Sequence, residues 1–160
     1  MRIETTRFGV LEVTDEQLFE FPMGLLGFAG QKRFVVLDHA PDSPLKWLQS
    51  VDDGGLAFII TDPLYFVPGY RVSARKTELA IIKPVEEQLV LSVILTIPSD
   101  PQDMSANLMA PLIFNMENRK AMQYVLTNQK YPVKYFVLKD SPASLSIQET
   151  QANDRAILLR

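Results

Sequence analysis

Eleven prolines are spread along 160 residues, and their spacing constrains the chain more than any other feature. Each removes a backbone donor and biases the preceding residue toward extended geometry, so a long helix has nowhere to run. Between the breaks lie short stretches rich in β-branched and aromatic residues. Arg7–Val13, Leu18–Phe21, Phe34–Asp38, Lys46–Val51, Leu56–Thr61, Glu78–Lys83 and Gln88–Ile97 each read as a strand. Turn residues close them, among them Pro22-Met23-Gly24, Asp52-Asp53-Gly54-Gly55, Asp62-Pro63 and Pro68-Gly69. Arg119–Thr127 allows both a helical face through Ala121, Tyr124 and Val125 and a strand alternation through Met122, Tyr124 and Leu126. We read it as a strand, paired with Leu112–Asn115 through a hairpin turn at Asn115-Met116-Glu117-Asn118. The expected fold is all-β and mainly antiparallel, a small barrel-like or sandwich domain with few or no long helices. Phe8, Phe21, Phe34, Trp47, Phe58, Ile60, Val93 and Leu95 are its expected core.

A chain that is 47% hydrophobic and 22% charged over this length suits one domain with its own core. Composition shifts after Leu138. The expected division is a β domain over 1–138 and a polar, loosely ordered tail over 139–160. The tail ends on Ile157-Leu158-Leu159, an apolar patch expected to pack on its own domain.

Residue chemistry removes whole function classes. Without cysteine there are no thiolate nucleophiles, disulfides or Cys-based metal sites, and His39 is the one imidazole. No Gly-x-Ser-x-Gly elbow occurs, and Gly24, Gly27 and Gly30 lack the Lys-Ser/Thr ending of a phosphate loop. Asp52-Asp53-Gly54-Gly55 lacks the alternating oxygen ligands of a calcium loop. No catalytic residue, metal ligand or cofactor is expected. A net charge of −3 with scattered Lys and Arg argues against direct nucleic-acid binding. The apolar runs are too short to span a bilayer, which points to a cytoplasmic protein without a membrane partner.

What remains is surface for another protein. Leu64–Tyr70 places three aromatics between Pro63 and Gly69 or beside them, so Tyr65, Phe66, Val67 and Tyr70 are expected to form an apolar groove. Asp100, Asp103, Met104, Asn107 and Leu108 combine carboxylates with an apolar anchor, the anatomy of a protein-binding loop. Two alternatives stay open: a ligand-binding or enzymatic barrel with a pocket lined by Trp47, Phe58 and Tyr65, and a structural oligomer subunit.

Five blocks in order carry a resemblance. Phe21-Pro22-Met23-Gly24-Leu25-Leu26-Gly27-Phe28, Trp47-Leu48-Gln49-Ser50 and Leu56–Pro63 come first. Thr96–Pro101 with Met104–Pro111 follows, then a closing segment with Asn115, Arg119, Ala121 and Gln123. Together they resemble the flagellar assembly factor FliW family over roughly residues 2–138, with Ser105 where Thr is expected and no counterpart for the tail. The resemblance implies a cytoplasmic, non-enzymatic β-barrel-like protein. It implies two alternative partners, flagellin and carbon storage regulator A, an RNA-binding repressor of flagellin translation that is antagonised when captured.

Overall fold

A computed structural model describes residues 1–127, 130–140 and 156–160. Its strands are β1 (Arg2–Thr5), β2 (Gly9–Glu12), β3 (Leu18–Glu20), β4 (Arg33–Asp38), β5 (Leu45–Ser50), β6 (Ala57–Thr61) and β7 (Val72–Ala74). They continue with β8 (Leu89–Thr96), β9 (Ser105–Ala106), β10 (Leu112–Asn115), β11 (Lys120–Gln123), β12 (Tyr135–Phe136) and β13 (Ile157–Leu159). One α-helical turn, α1 (Val137–Asp140), is present among the described residues.

Seven strands close on themselves in the order β3-β4-β5-β6-β8-β10-β11 and back to β3. The fold is an antiparallel barrel, as the proline spacing predicts, except at one seam. There β11 meets β3 in parallel through the single pair Lys120 and Glu20. Arg119 holds that seam: its Nε and Nη2 each donate at 3.0 Å, to the carbonyls of Leu18 and Gln17. Its guanidinium also lies 3.8 Å over the Phe19 ring, and burial lowers the pKa of this arginine. The long β8 serves two neighbours along one edge, β10 at Leu89–Ser92 and β9 at Leu95–Thr96, while β6 pairs with Val93–Leu95.

Strand alternation sorts the apolar side chains into three layers. The barrel interior is Phe19, Phe21, Phe34, Leu48, Ile60, Leu112, Phe114 and Ala121, capped by Leu25. Phe21, Phe34 and Phe114 meet edge to face with centroids 5.2 and 5.7 Å apart. On one outer face the β1-β2 hairpin covers Val35 with Ile3 and Val13. Gly54 permits that approach, since a Cβ there would lie 2.0 Å from the Glu4 carbonyl oxygen. On the other face Leu91, Val93, Leu95 and Ile113 pack beneath the segment carrying Phe66, Tyr70, Leu79 and Ile82.

The core expectation holds for Phe21, Phe34, Ile60, Val93 and Leu95, which are buried. Phe8, Trp47 and Phe58 are only half-buried. Trp47 faces outward because its neighbour Leu48 takes the inward register, and there it receives the Phe8 edge at 5.6 Å and the Arg7 guanidinium at 4.5 Å. Glu78–Lys83 is not a strand but turns leading into a 3₁₀ segment, Ala80–Ile82. Its buried residues Leu79 and Ile82 stand three apart, a helical rather than alternating spacing, and Lys83 at φ 47° ends it before Pro84. Of the expected Arg119–Thr127 strand only Lys120–Gln123 forms, as β11 paired with Leu112–Asn115 in the expected hairpin, while Arg119 at φ 59° belongs to the turn and residues 124–127 leave the sheet. The expected loosely ordered tail falls chiefly on residues 141–155, outside the described residues. Its final apolar patch forms β13, paired in parallel with β7.

Candidate partner-binding surface

The loop after β3 is built by backbone conformation. Gly24 adopts φ 65°, and a Cβ there would fall 2.5 Å from the Phe28 carbonyl oxygen. Leu25 and Phe28 then bridge, with the Phe28 N–H donating to the Leu25 carbonyl at 2.7 Å. The tight turn sends Leu25 into the barrel and leaves Leu26 60% exposed. Phe28 lies edge-on to Phe58 at 5.3 Å.

This loop forms one rim of a concavity at an end of the barrel. Leu26, Phe58, Ile94, Asn107, Gln123 and Val133 line it. Val133 is 59% exposed, so two aliphatic side chains stand open beside a half-buried aromatic. An adjoining hollow continues past Thr96, Ser105 and Lys134, shared by both, to Asp103, Phe136 and Lys139. Asp103 pairs with Lys139, and Asp100 and Asp140 add to the field that raises the lysine's pKa. The whole is an apolar centre with a charged rim, the usual anatomy of a protein interface.

The expected acidic loop is therefore divided in role. Asp103 and Asn107 line this surface; Asp100 is exposed and caps the turn by accepting from the Gln102 N–H at 3.0 Å. Asn107 also shapes the loop, its Oδ1 accepting from Met109 and Ala110 at 3.1 and 3.0 Å. Leu108 is buried and Met104 half-buried against the second core, the layer in which Leu91, Val93, Leu95 and Ile113 pack beneath Phe66 and Tyr70, so neither offers an exposed anchor. Of the expected aromatic groove, Tyr65 alone is well exposed, at 47%. Phe66 is buried and stacks on Tyr135 at 5.8 Å, and Val67 is half-buried. Tyr70 is fully buried and donates its hydroxyl to the Leu108 carbonyl at 2.7 Å. The prolines and Gly69 turn these side chains inward rather than out.

Tyr65 instead belongs to a second concavity at the other end of the barrel, with Pro44, Val90, Met116 and Arg119. The pocket expected from Trp47, Phe58 and Tyr65 does not form, because Trp47 is on the outer wall and the other two line opposite ends. Leu26, Val133 and Lys139 were not anticipated from sequence. The bridge from Leu26 N–H to Gln123 Oε1, 2.8 Å long and spanning 97 positions, is the link that sequence spacing conceals. Among the described residues no group of three or more His, Cys, Asp or Glu is placed to hold a metal ion. No described helix is long and apolar enough to cross a membrane.

A closed seven-stranded barrel, covered on two faces and with an apolar-centred concavity at one end, defines the class: a small β-barrel domain. The family model described as "FliW protein" matches residues 2–137. A flagellar assembly factor FliW from Syntrophus aciditrophicus is 36% identical over 143 residues, covering 88% of this chain and 89% of that protein. Flagellar assembly factor FliW 2 from Desulfotalea psychrophila is 40% identical over 131 residues, covering 81% and 85%. A crystal structure of the flagellar assembly factor FliW superposes with a TM-score of 0.79 at 31% identity, covering 86% of this chain and 96% of that one. The chain belongs to the FliW family of flagellar assembly factors.

Proposed function

We propose that the chain acts as a non-enzymatic, cytoplasmic binding protein that holds flagellin and, alternatively, carbon storage regulator A, relieving repression of flagellin translation. The observation carrying this reading is the meeting of distant sequence blocks at one open surface. Leu26, Phe58, Thr96, Ser105, Asn107 and Gln123 come from four of the five blocks of the resemblance, and all line the same barrel end.

We assign the regulator to this end. Its charged rim includes Asp100, Asp103 and Asp140 around Lys139, and carboxylates steer a basic RNA-binding partner. Once bound, they repel an RNA backbone near the regulator without filling its RNA site. Flagellin is assigned to the Tyr65 end, where Val90 and Met116 are also exposed and an amphipathic helix finds apolar contacts. Titrating a preformed complex of chain and regulator with monomeric flagellin tests the switch. Release of regulator in proportion to flagellin occupancy supports it; simultaneous, independent binding of both defeats it.

A further inference from the structure

Residues 156–160 lie beyond the stretch matched by the family model, which ends at residue 137. They nevertheless complete the second core. Ile157 is 5% exposed within it and Leu159 packs partly against it, while Leu158 between them is 60% exposed. The register is parallel, Ile157 with Val72, Leu158 with Ser73 and Leu159 with Ala74. Backbone bonds also tie the two ends of the paired stretch: Val72 N–H to the Ala156 carbonyl at 2.7 Å, Arg160 N–H to Ala74 at 2.8 Å, and Lys76 N–H to Arg160 at 3.0 Å. Glu86 Oε1 accepts from the Leu159 N–H at 3.0 Å. The Glu78 carboxylate accepts from the Arg75 N–H and the Tyr124 hydroxyl, both at 2.9 Å, and these bonds, with smaller contributions from the charges of Arg75 and Arg160, hold its pKa below the ordinary carboxylate value.

Among the described residues β7 has no other strand partner. The edge therefore reads a short extended segment by main-chain bonds, two aliphatic anchors at alternate positions and a basic residue behind them. That is the chemistry of strand addition, with backbone bonds giving affinity and alternate pockets giving selectivity. The occupant is also easily exchanged. It pairs over three positions and does so in parallel, the less stable geometry per residue. Tyr70, Val72 and Leu79 beneath it belong to a core that includes Val93, Leu95 and Ile113, contributed by the barrel strands.

We infer that the β7 edge is a strand-acceptor site, held by the chain's own residues 156–160 and open to an extended aliphatic-x-aliphatic-basic segment of a partner polypeptide that displaces them. This stands apart from the barrel-end surfaces and needs neither flagellin nor the regulator for its test.

The probe is a labelled peptide of residues 156–160, Ala-Ile-Leu-Leu-Arg, measured by fluorescence anisotropy against the full chain and its Ile157→Asp variant. The variant empties the edge and is expected to bind the peptide at least tenfold more tightly than the intact chain, whereas a peptide carrying Asp in place of its Ile binds neither. A variant with the β spectrum of the intact chain that ignores the peptide overturns the site. Should that variant fail to fold, hydrogen exchange on the intact chain decides. The Lys76 and Arg160 amides are expected to exchange at least a hundredfold faster than the β5 and β6 amides, and equal protection overturns displacement. Sedimentation is expected to show a monomer at all concentrations. Dimerisation that rises with concentration and vanishes in Ile157→Asp overturns the partner assignment in favour of exchange between two copies.

Discussion

The Leu26 amide donates to Gln123 Oε1 at 2.8 Å, while the Gln123 amide nitrogen donates to the Ala110 carbonyl at 3.1 Å. One side chain thus ties the loop after β3 to the segment before β10, and with them two rims of the candidate surface. Gln123→Ala is expected to cost about 1 kcal/mol, because both bonds are partly solvated. That corresponds to roughly 2–4 °C in a thermal melt of a domain this size. The larger effect is expected on regulator affinity, since Leu26 loses its fixed position. Gln123→Glu keeps the acceptor for Leu26 and is expected to recover most of that affinity, measured by calorimetric titration.

Gly24→Ala tests the backbone of the same loop. With φ at 65° and a Cβ placed 2.5 Å from the Phe28 oxygen and 2.7 Å from Ala29 backbone atoms, the turn cannot close unchanged. A loss of about 2–3 kcal/mol in urea unfolding is expected, at the upper end of ordinary point substitutions. A substitution at Gly27, also at positive φ but with open space around it, is expected to cost less.

The Tyr70 hydroxyl supports the second core. Tyr70→Phe leaves the Leu108 carbonyl without this donor and is expected to cost about 1–3 kcal/mol. Burial, with a smaller contribution from Tyr131, raises the Tyr70 pKa well above that of a free phenol. A raised folded-state pKa means the folded chain holds this proton more tightly, so the associated stability is complete below about pH 10 and is lost as pH rises beyond it. Alkaline unfolding curves of the intact chain should therefore steepen above about pH 10, and Tyr70→Phe should flatten that limb.

Asp103 and Lys139 form an exposed pair, and pairs of this kind contribute about 0–1 kcal/mol. Asp103→Lys is expected to leave the melting temperature nearly unchanged. It is expected to slow regulator association severalfold at low salt and to reduce the salt dependence of the association rate, read by stopped-flow fluorescence.

The barrel strands were legible in the sequence because each is a short β-branched run bounded by turn residues, as in Phe34–Asp38 and Leu56–Thr61. The short strands β7, β9 and β12 were not, because they carry too few positions for alternation to register, whereas β3 and β10, of three and four residues, were read from their apolar runs. Leu79 and Ile82 misled in the opposite way, their local composition resembling a strand while their burial follows a 3₁₀ turn. Inward or outward direction was the hardest property to read. Tyr65, Phe66 and Tyr70 are alike in sequence, yet the first is exposed and the others are buried, because the 3₁₀ turn at Pro63–Tyr65 fixes which way each points. The candidate surface was legible only as separate motifs, and their junction at Gln123 is a tertiary fact.

The central claim is that the barrel end centred on Leu26 receives the regulator. Leu26 is exposed, so Leu26→Asp should fold with an unchanged melting temperature while placing a charge where an apolar contact is required. The direct measurement is the dissociation constant of this variant for purified carbon storage regulator A, beside that of the intact chain. The account predicts binding weakened at least tenfold, with flagellin affinity at the Tyr65 end retained. Equal regulator affinity in the folded variant would contradict it.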